Sequence, residues 1–156
     1  MVGVVFEVNG KIGNYYMNKL FHHMFKEVHN AKSRKDKIAV LHHYSSPALK
    51  QVLGYTYDPN IVFDLPEGNP PYKALEEDDE GCIDLQGELR RMYLFVKGGN
   101  EGLKPLRREM LFIELLQSLD PRDAKVVLMM KNKKLEYNGL TKKLVQEAFP
   151  NLGANW

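Results

Sequence analysis

Lys32–Tyr57 reads KSRKDKIAVLHHYSSPALKQVLGYTY, and two helix starts are written into it. Ser33 stands before KDKIAVLHHY, in which Ile38, Leu41 and Tyr44 share a face, so a helix capped by Ser33 is predicted. A second helix then starts near Ser46-Pro47, with the proline suited to the first helical position. Leu49, Val52 and Leu53 form the buried edge of that second helix. Upstream, Met17, Leu20, Phe21, Met24, Phe25 and Val28 make one apolar stripe, which predicts a helix from Asn14 to Val28 and a break at Asn30-Ala31-Lys32.

Downstream the helical period lapses and then returns. From Tyr57 to Asp84 the turn signals Asp58-Pro59, Leu65-Pro66, Gly68-Asn69 and Pro70-Pro71 mark an irregular excursion (57–84), with Ile61-Val62-Phe63 as a short extended segment. Within it, Glu76–Gly81 is expected to be a mobile acidic loop, because adjacent like charges repel. Leu85, Leu89, Met92 and Val96 lie in helical register, closed by Lys97-Gly98-Gly99-Asn100. Leu106, Met110, Ile113 and Leu116 predict the inward face of a helix from Pro105 to Ser118. Asp120-Pro121 opens another, with Ala124, Val127 and Leu128 inward, and a last helix runs from Thr141 to Phe149 and stops at Pro150. The expected fold is all-α, one compact domain over 1–156 with about six to seven helices around the irregular centre.

Composition sets the outer bounds. Of 156 residues, 44% are hydrophobic and 27% charged, enough apolar material for one domain core and too much for global disorder. A single cysteine, Cys82, excludes an intramolecular disulfide and a cysteine zinc cage. No apolar run approaches the roughly 20 residues that span a bilayer, and no leader pattern opens the chain, so an intracellular protein without a membrane partner is expected.

The net charge of +2 hides segregation. Lys11–Lys50 holds eight Lys or Arg against two acids, Asp58–Glu88 one against ten, and Lys97–Trp156 eleven against seven. If the two basic segments meet on one face, that face attracts phosphate. Solvation of ordinary helix surfaces accounts for the same charges without a ligand.

Signatures of catalysis are missing: there is no P-loop, no HExxH, no nucleophile elbow and no CxxC, so no enzyme and no cofactor are expected. His22-His23 and His42-His43 invite a metal reading. Neighbours on a helix point about 100° apart, so neither pair serves one ion, and no carboxylate partner is identifiable. No metal is expected at these histidines or in the acidic run. Helix starts say more. Ser33-Arg34-Lys35-Asp36-Lys37, Gly98-Gly99-Asn100 and Gly139–Lys143 each bring small or capping residues beside Lys, and free N–H groups at a helix start attract anions.

The same stretches carry a resemblance. Lys32–Tyr57, with Leu49, Lys50, Val52, Tyr55 and Tyr57, resembles the opening of the N-terminal DNA-binding domain of ATP-dependent DNA ligases. Leu119–Pro150 resembles its closing helices through Asp120–Ala124, Val127–Lys134, Gly139–Lys143 and Ala148-Phe149-Pro150. The likeness runs from about Lys26 to Leu152, with Lys97–Asn100 at the position of a turn between helices. It implies an all-helical domain on the minor-groove side of duplex DNA, with Ser33, Lys35, Gly99, Asn100, Thr141, Lys142 and Lys143 as the DNA-binding residues. The nucleotidyl-transfer motif K-x-D-G occurs nowhere, so no lysine–AMP chemistry is implied. The acidic run and Met1–Tyr16 also depart from the ligase pattern.

The chain is further similar to small proteins carried by tailed phages, through Phe63–Gly68, Phe95–Asn100 and Leu140–Lys143. That likeness implies the cytoplasm of an infected bacterium. The leading expectation is therefore a non-catalytic, sequence-tolerant DNA-binding protein of phage type, duplex DNA being favoured. The alternative is a protein-interaction module or DNA mimic that engages replication or transcription machinery through the acidic segment. A metal-dependent hydrolase using the histidine pairs ranks below both.

Overall fold

Capping side chains set most helix starts. A computed structural model describes the backbone of residues 3–8 and 11–18 and all atoms of residues 19–156. Two antiparallel strands come first, β1 (Gly3–Val8) and β2 (Lys11–Asn18), with Val4 opposite Met17 and Glu7 opposite Ile12. The helices are α1 (Phe21–Asn30), α2 (Arg34–His43), α3 (Pro47–Tyr57), α4 (Leu85–Glu88), α5 (Pro105–Ser118), α6 (Pro121–Lys131) and α7 (Lys142–Ala148). A 3₁₀ segment, Leu89–Phe95, continues α4. Apart from the hairpin, the fold is all-α.

Ser33 Oγ accepts from the Asp36 amide at 3.0 Å, Ser46 Oγ from Leu49 at 3.0 Å, Asp120 from Arg122 at 2.9 Å and Thr141 Oγ1 from Leu144 at 3.2 Å. Ser33, Asp120 and Thr141 were legible as capping residues and Ser46-Pro47 as a start through its proline, and each side chain satisfies an amide that the helix itself leaves free.

The start of α1 differs from the expected Asn14. Residues 14–18 lie in β2, where Tyr15 and Tyr16 suit a strand, and the helix begins at Phe21. Leu20, at the cap position, offers no side-chain acceptor. The cap comes from α6: the Asp123 carboxylate accepts from Phe21 N at 3.3 Å and His22 N at 2.9 Å. No local pattern around residue 20 could disclose an acceptor so distant in sequence.

Three readings of the apolar faces change. Leu85–Val96 is not one α-helix: the tighter 3₁₀ period stacks Leu89, Met92 and Phe95 at three-residue steps, and all three are buried while Val96 is only half-buried. On α5 the buried face is Arg108, Phe112, Leu115 and Leu116, whereas Leu106 and Met110 are 70% and 47% exposed and Ile113 is half-buried. Arg108 disguises that inward face in the sequence. Leu20, expected in the core, is half-buried, and the side chain of Met17 lies outside the described residues. Phe21, Leu41, Leu53, Met92 and Val127 are core residues as expected, and Leu144 and Phe149 are buried with them.

Helix α6 is the central element, packing on α1, α3 and α5, while α2 packs on α1 and α7. Its Asp123, Ala124, Val126, Val127, Leu128, Met130 and Lys131 are all buried, so it is enclosed on most sides, as a central helix must be. The 57–84 excursion is irregular but fastened. Asp64 N donates to Phe95 O and Lys97 N to Val62 O, while Ile83 N donates to Ser118 O. The acidic loop is held at Asp78, whose amide donates to Asp120 at 2.9 Å and whose carboxylate meets Arg122 at 2.8 Å. Burial pushes the Asp120 carboxyl up, but hydrogen bonds from the Arg122 guanidinium and the Asp78 and Arg122 amides outweigh it and hold it at about 2.

Asp123 behaves oppositely. Burial drives its carboxyl up to about 6 against the two amides it accepts from. The folded chain therefore holds this proton more firmly than the unfolded chain, whose group titrates near 3.8. The resulting stabilisation is complete below the unfolded value and is lost as pH rises through about 6. Relative to Asp123→Asn, wild type is expected to lose about 2–3 kcal/mol of unfolding free energy between acid and neutral pH. Urea unfolding of both proteins at several pH values measures this, and parallel profiles would contradict it.

Candidate nucleic-acid interface

Two of the three basic starts belong to neighbouring helices, although Arg34 at the start of α2 meets the last turn of α7 rather than its first. Helices α2 and α7 pack on each other, with Arg34 Nε on Glu147 Oε2 at 2.6 Å and His42 Nε2 donating to Ala148 O at 2.6 Å. The buried Lys37, one turn into α2, donates to Asn138 O at 3.0 Å and to Val28 O at 2.7 Å. It thereby ties the end of α1 and the first turn of α2 to the segment that leads into α7. Gly139 has φ +75°, and a Cβ there would sit 2.6 Å from Lys37 Cε, so a glycine is needed for this close approach.

Around that junction Ser33, Lys35, Thr141 and Lys143 are exposed, and Lys142 is half-buried. The first turn of α7 carries no acid, whereas that of α2 carries Asp36. Glu147, on the same helix as Lys142 and Lys143, is engaged by Arg34. Lys50 adds a further exposed amine, 5.4 Å from the ring centre of Phe149 just beyond α7. Sequence spacing did not connect Lys50 to this region, because only its contact from α3 with Phe149 does so.

Gly99 and Asn100 do not join this group. They form the turn between the 3₁₀ segment and α5, where Asn100 O accepts from Arg108 and Asn100 Oδ1 from Gly102 N. A Cβ on Gly99 would lie 1.8 Å from Tyr93 O, so backbone packing alone requires the glycine.

Several basic residues counted as surface charge are committed internally. Lys133 Nζ donates to the carbonyls of Tyr55, Asp58 and Ile61, closing the end of α3. Lys131 Nζ donates to Gly68 O, and Arg108 and Arg122 hold Asp64 and the acidic loop. The basic surface is thus narrower than the tally implies; exposed lysines stand beside the starts of α2 and α7, while Arg90, Arg91, Lys97, Lys104 and Arg107 are exposed around the 3₁₀ segment and α5.

The histidines make internal contacts. His22 Nδ1 lies 3.0 Å from Tyr137 Oη, and His29 Nδ1 accepts from Asn138 N at 2.8 Å. Burial, with the charges of His23 and Arg122, lowers the His22 imidazole below its ordinary value. Burial and the nearby carboxylates of Asp120 and Asp79 raise the Cys82 thiol, disfavouring the thiolate. Among the described residues no group of three His, Cys, Asp or Glu could hold a metal ion, and no helix is long and apolar enough to cross a membrane.

What the α2–α7 region offers chemically is attraction for anions: exposed ammonium groups beside two helix starts. Residues 24–137 match a family described as a family of unknown function (DUF6433), a span that includes Ser33, Lys35, Gly99 and Asn100 and ends before Thr141. No curated protein and no solved structure matches the chain. Because the matched residues make up more than half of the 156, the chain belongs to this family of unknown function, DUF6433.

Proposed function

We propose that this protein is a non-catalytic, sequence-tolerant DNA-binding protein of the type carried by tailed phages, which holds the phosphates of duplex DNA. Ser33, Lys35, Thr141, Lys142 and Lys143 form the main contact, and the Gly99–Asn100 turn makes a separate one. The observation that carries this reading is the packing of α2 on α7, which makes neighbours of two helices with basic starts from opposite ends of the sequence. The resemblance of these same stretches to the ligase DNA-binding domain supports it. Phosphate contacts supply affinity without reading bases, so binding tolerates any sequence.

A second reading is favoured by one specific observation. Glu76, Glu77, Asp79 and Glu80 are exposed while Asp78 anchors their loop, which presents a fixed acidic surface to a basic protein of the replication or transcription machinery.

Lysines beside a helix N-terminus oppose the helix dipole by a few tenths of a kcal/mol each, about 0.3 at an exposed site. Changing Lys142 and Lys143 together to Glu should therefore leave the fold intact or slightly more stable. Duplex affinity should fall at least about tenfold for every sequence tested. Fluorescence anisotropy with two unrelated duplexes measures this. A folded double variant that binds like wild type would remove the α7 start from the interface.

A further inference from the structure

Helix α5 carries two apolar faces, and only one of them is covered. The inward face seals the core, while Leu106, Met110 and Ile113 form a second line on the outside, at steps of four and three residues. Among the described residues Leu106 is the most exposed large apolar side chain, and although single exposed leucines need no explanation, a continuous line does. One flank of the line carries Arg107 and Glu114, both exposed and two turns apart. Neither has an ion-pair partner among the described residues. Beyond the other flank a groove of about 430 Å³ runs between α5 and the proline-rich segment, lined by Leu65, Pro66, Pro70, Phe112 and Ile113.

We infer that this face binds the same face of a second copy of the chain, α5 against α5 in antiparallel orientation about a two-fold axis beside Met110. Such an axis must relate a surface to itself, so every feature has to balance about one point. The features do. The midpoint of Arg107 and Glu114 falls between Met110 and Leu111, and that of Leu106 and Ile113 between Glu109 and Met110.

Antiparallel pairing therefore sets Leu106 over Ile113 of the second copy and Met110 over its own symmetry mate. Residues on the same flank of two antiparallel helices face one another, which brings Arg107 to Glu114 of the second copy, twice by symmetry. A parallel arrangement would instead set Arg107 beside Arg107 and Glu114 beside Glu114. The charge pattern selects the antiparallel pair, as interhelical ion pairs do in coiled coils. The inference does not rest on the DNA reading, because α2 and α7 lie on other elements.

Sedimentation of the full chain from roughly 1 to 300 μM, the range of a modest interface, tests the pairing. The mass should rise from one chain to two across it. Met110→Glu, at an exposed position, should stay folded by circular dichroism and remain a single chain throughout. Arg107→Glu and Glu114→Arg should each weaken the dimer about tenfold, and the double reversal should return it to within about threefold of wild type. A wild-type chain that stays single at every concentration overturns the inference. So does a dimer indifferent to Met110→Glu, or a double reversal no tighter than the single variants.

Discussion

Replacing Arg108 by alanine is expected to lower the unfolding free energy by about 3–5 kcal/mol, a large share of a domain's stability. Arg108 is a buried guanidinium, and each of its nitrogens has a partner. Nη1 meets Asp64 Oδ2 at 3.2 Å, Nε donates to Leu94 O at 3.1 Å, and Nη2 donates to Leu103 O at 2.9 Å and Asn100 O at 3.4 Å. One side chain thus fastens the irregular excursion, the end of the 3₁₀ segment and the turn at Asn100 to α5. Truncation leaves these carbonyls without their donor and opens a void beside Phe112. Arg108→Lys should recover only a minor part, because a single ammonium cannot reproduce a planar fork with three directions of donation. Chemical unfolding with both variants measures the difference. A loss below about 1 kcal/mol for the alanine variant would contradict the role given to this residue.

Lys37→Met is the second large effect, at about 2–3 kcal/mol. Methionine keeps the apolar stem but removes an amine that donates to Val28 O, His29 O and Asn138 O. Two of these carbonyls belong to the last turn of α1, where the helix dipole favours a cation. Without the amine, the segment leading into α7 loses its tie to α2. The variant should therefore bind DNA more weakly than its loss of one charge implies, although Lys37 is too buried to touch a phosphate itself. Unfolding and duplex titrations on the same preparation separate the two effects. A variant of wild-type stability would show that the three carbonyls find other donors at no cost.

Local signals were readable and remote ones were not. Ser33, Asp120 and Thr141 announce helices because a cap acts within three residues of itself. The start of α1 was misplaced because its cap, Asp123, lies 102 residues from Phe21. The inward face of α5 was misread because Arg108 occupies it while Leu106 and Met110 stand outside, which inverts the usual pattern. Lys37, Lys131 and Lys133 count as surface charge in any tally, yet each finishes on main-chain carbonyls that only the fold brings within reach. The candidate interface was legible as separate helix starts. That two of them share one packed pair, with Lys50 beside it, and that the Gly99–Asn100 turn does not, follows from tertiary packing alone.

The central claim is that phosphates supply the affinity, and salt reports on phosphates. Wild-type protein should be titrated against one duplex and one single strand at two salt concentrations. If Lys35, Lys142 and Lys143 each neutralise a phosphate, log affinity for the duplex should fall against log salt with a slope of about −2.7, and should hold across unrelated sequences. Replacing Lys142 and Lys143 by Gln should flatten that slope by about 2. Absence of binding to either form at low salt, or binding indifferent to salt, would contradict the account and leave the acidic surface as the better guide to what this protein does.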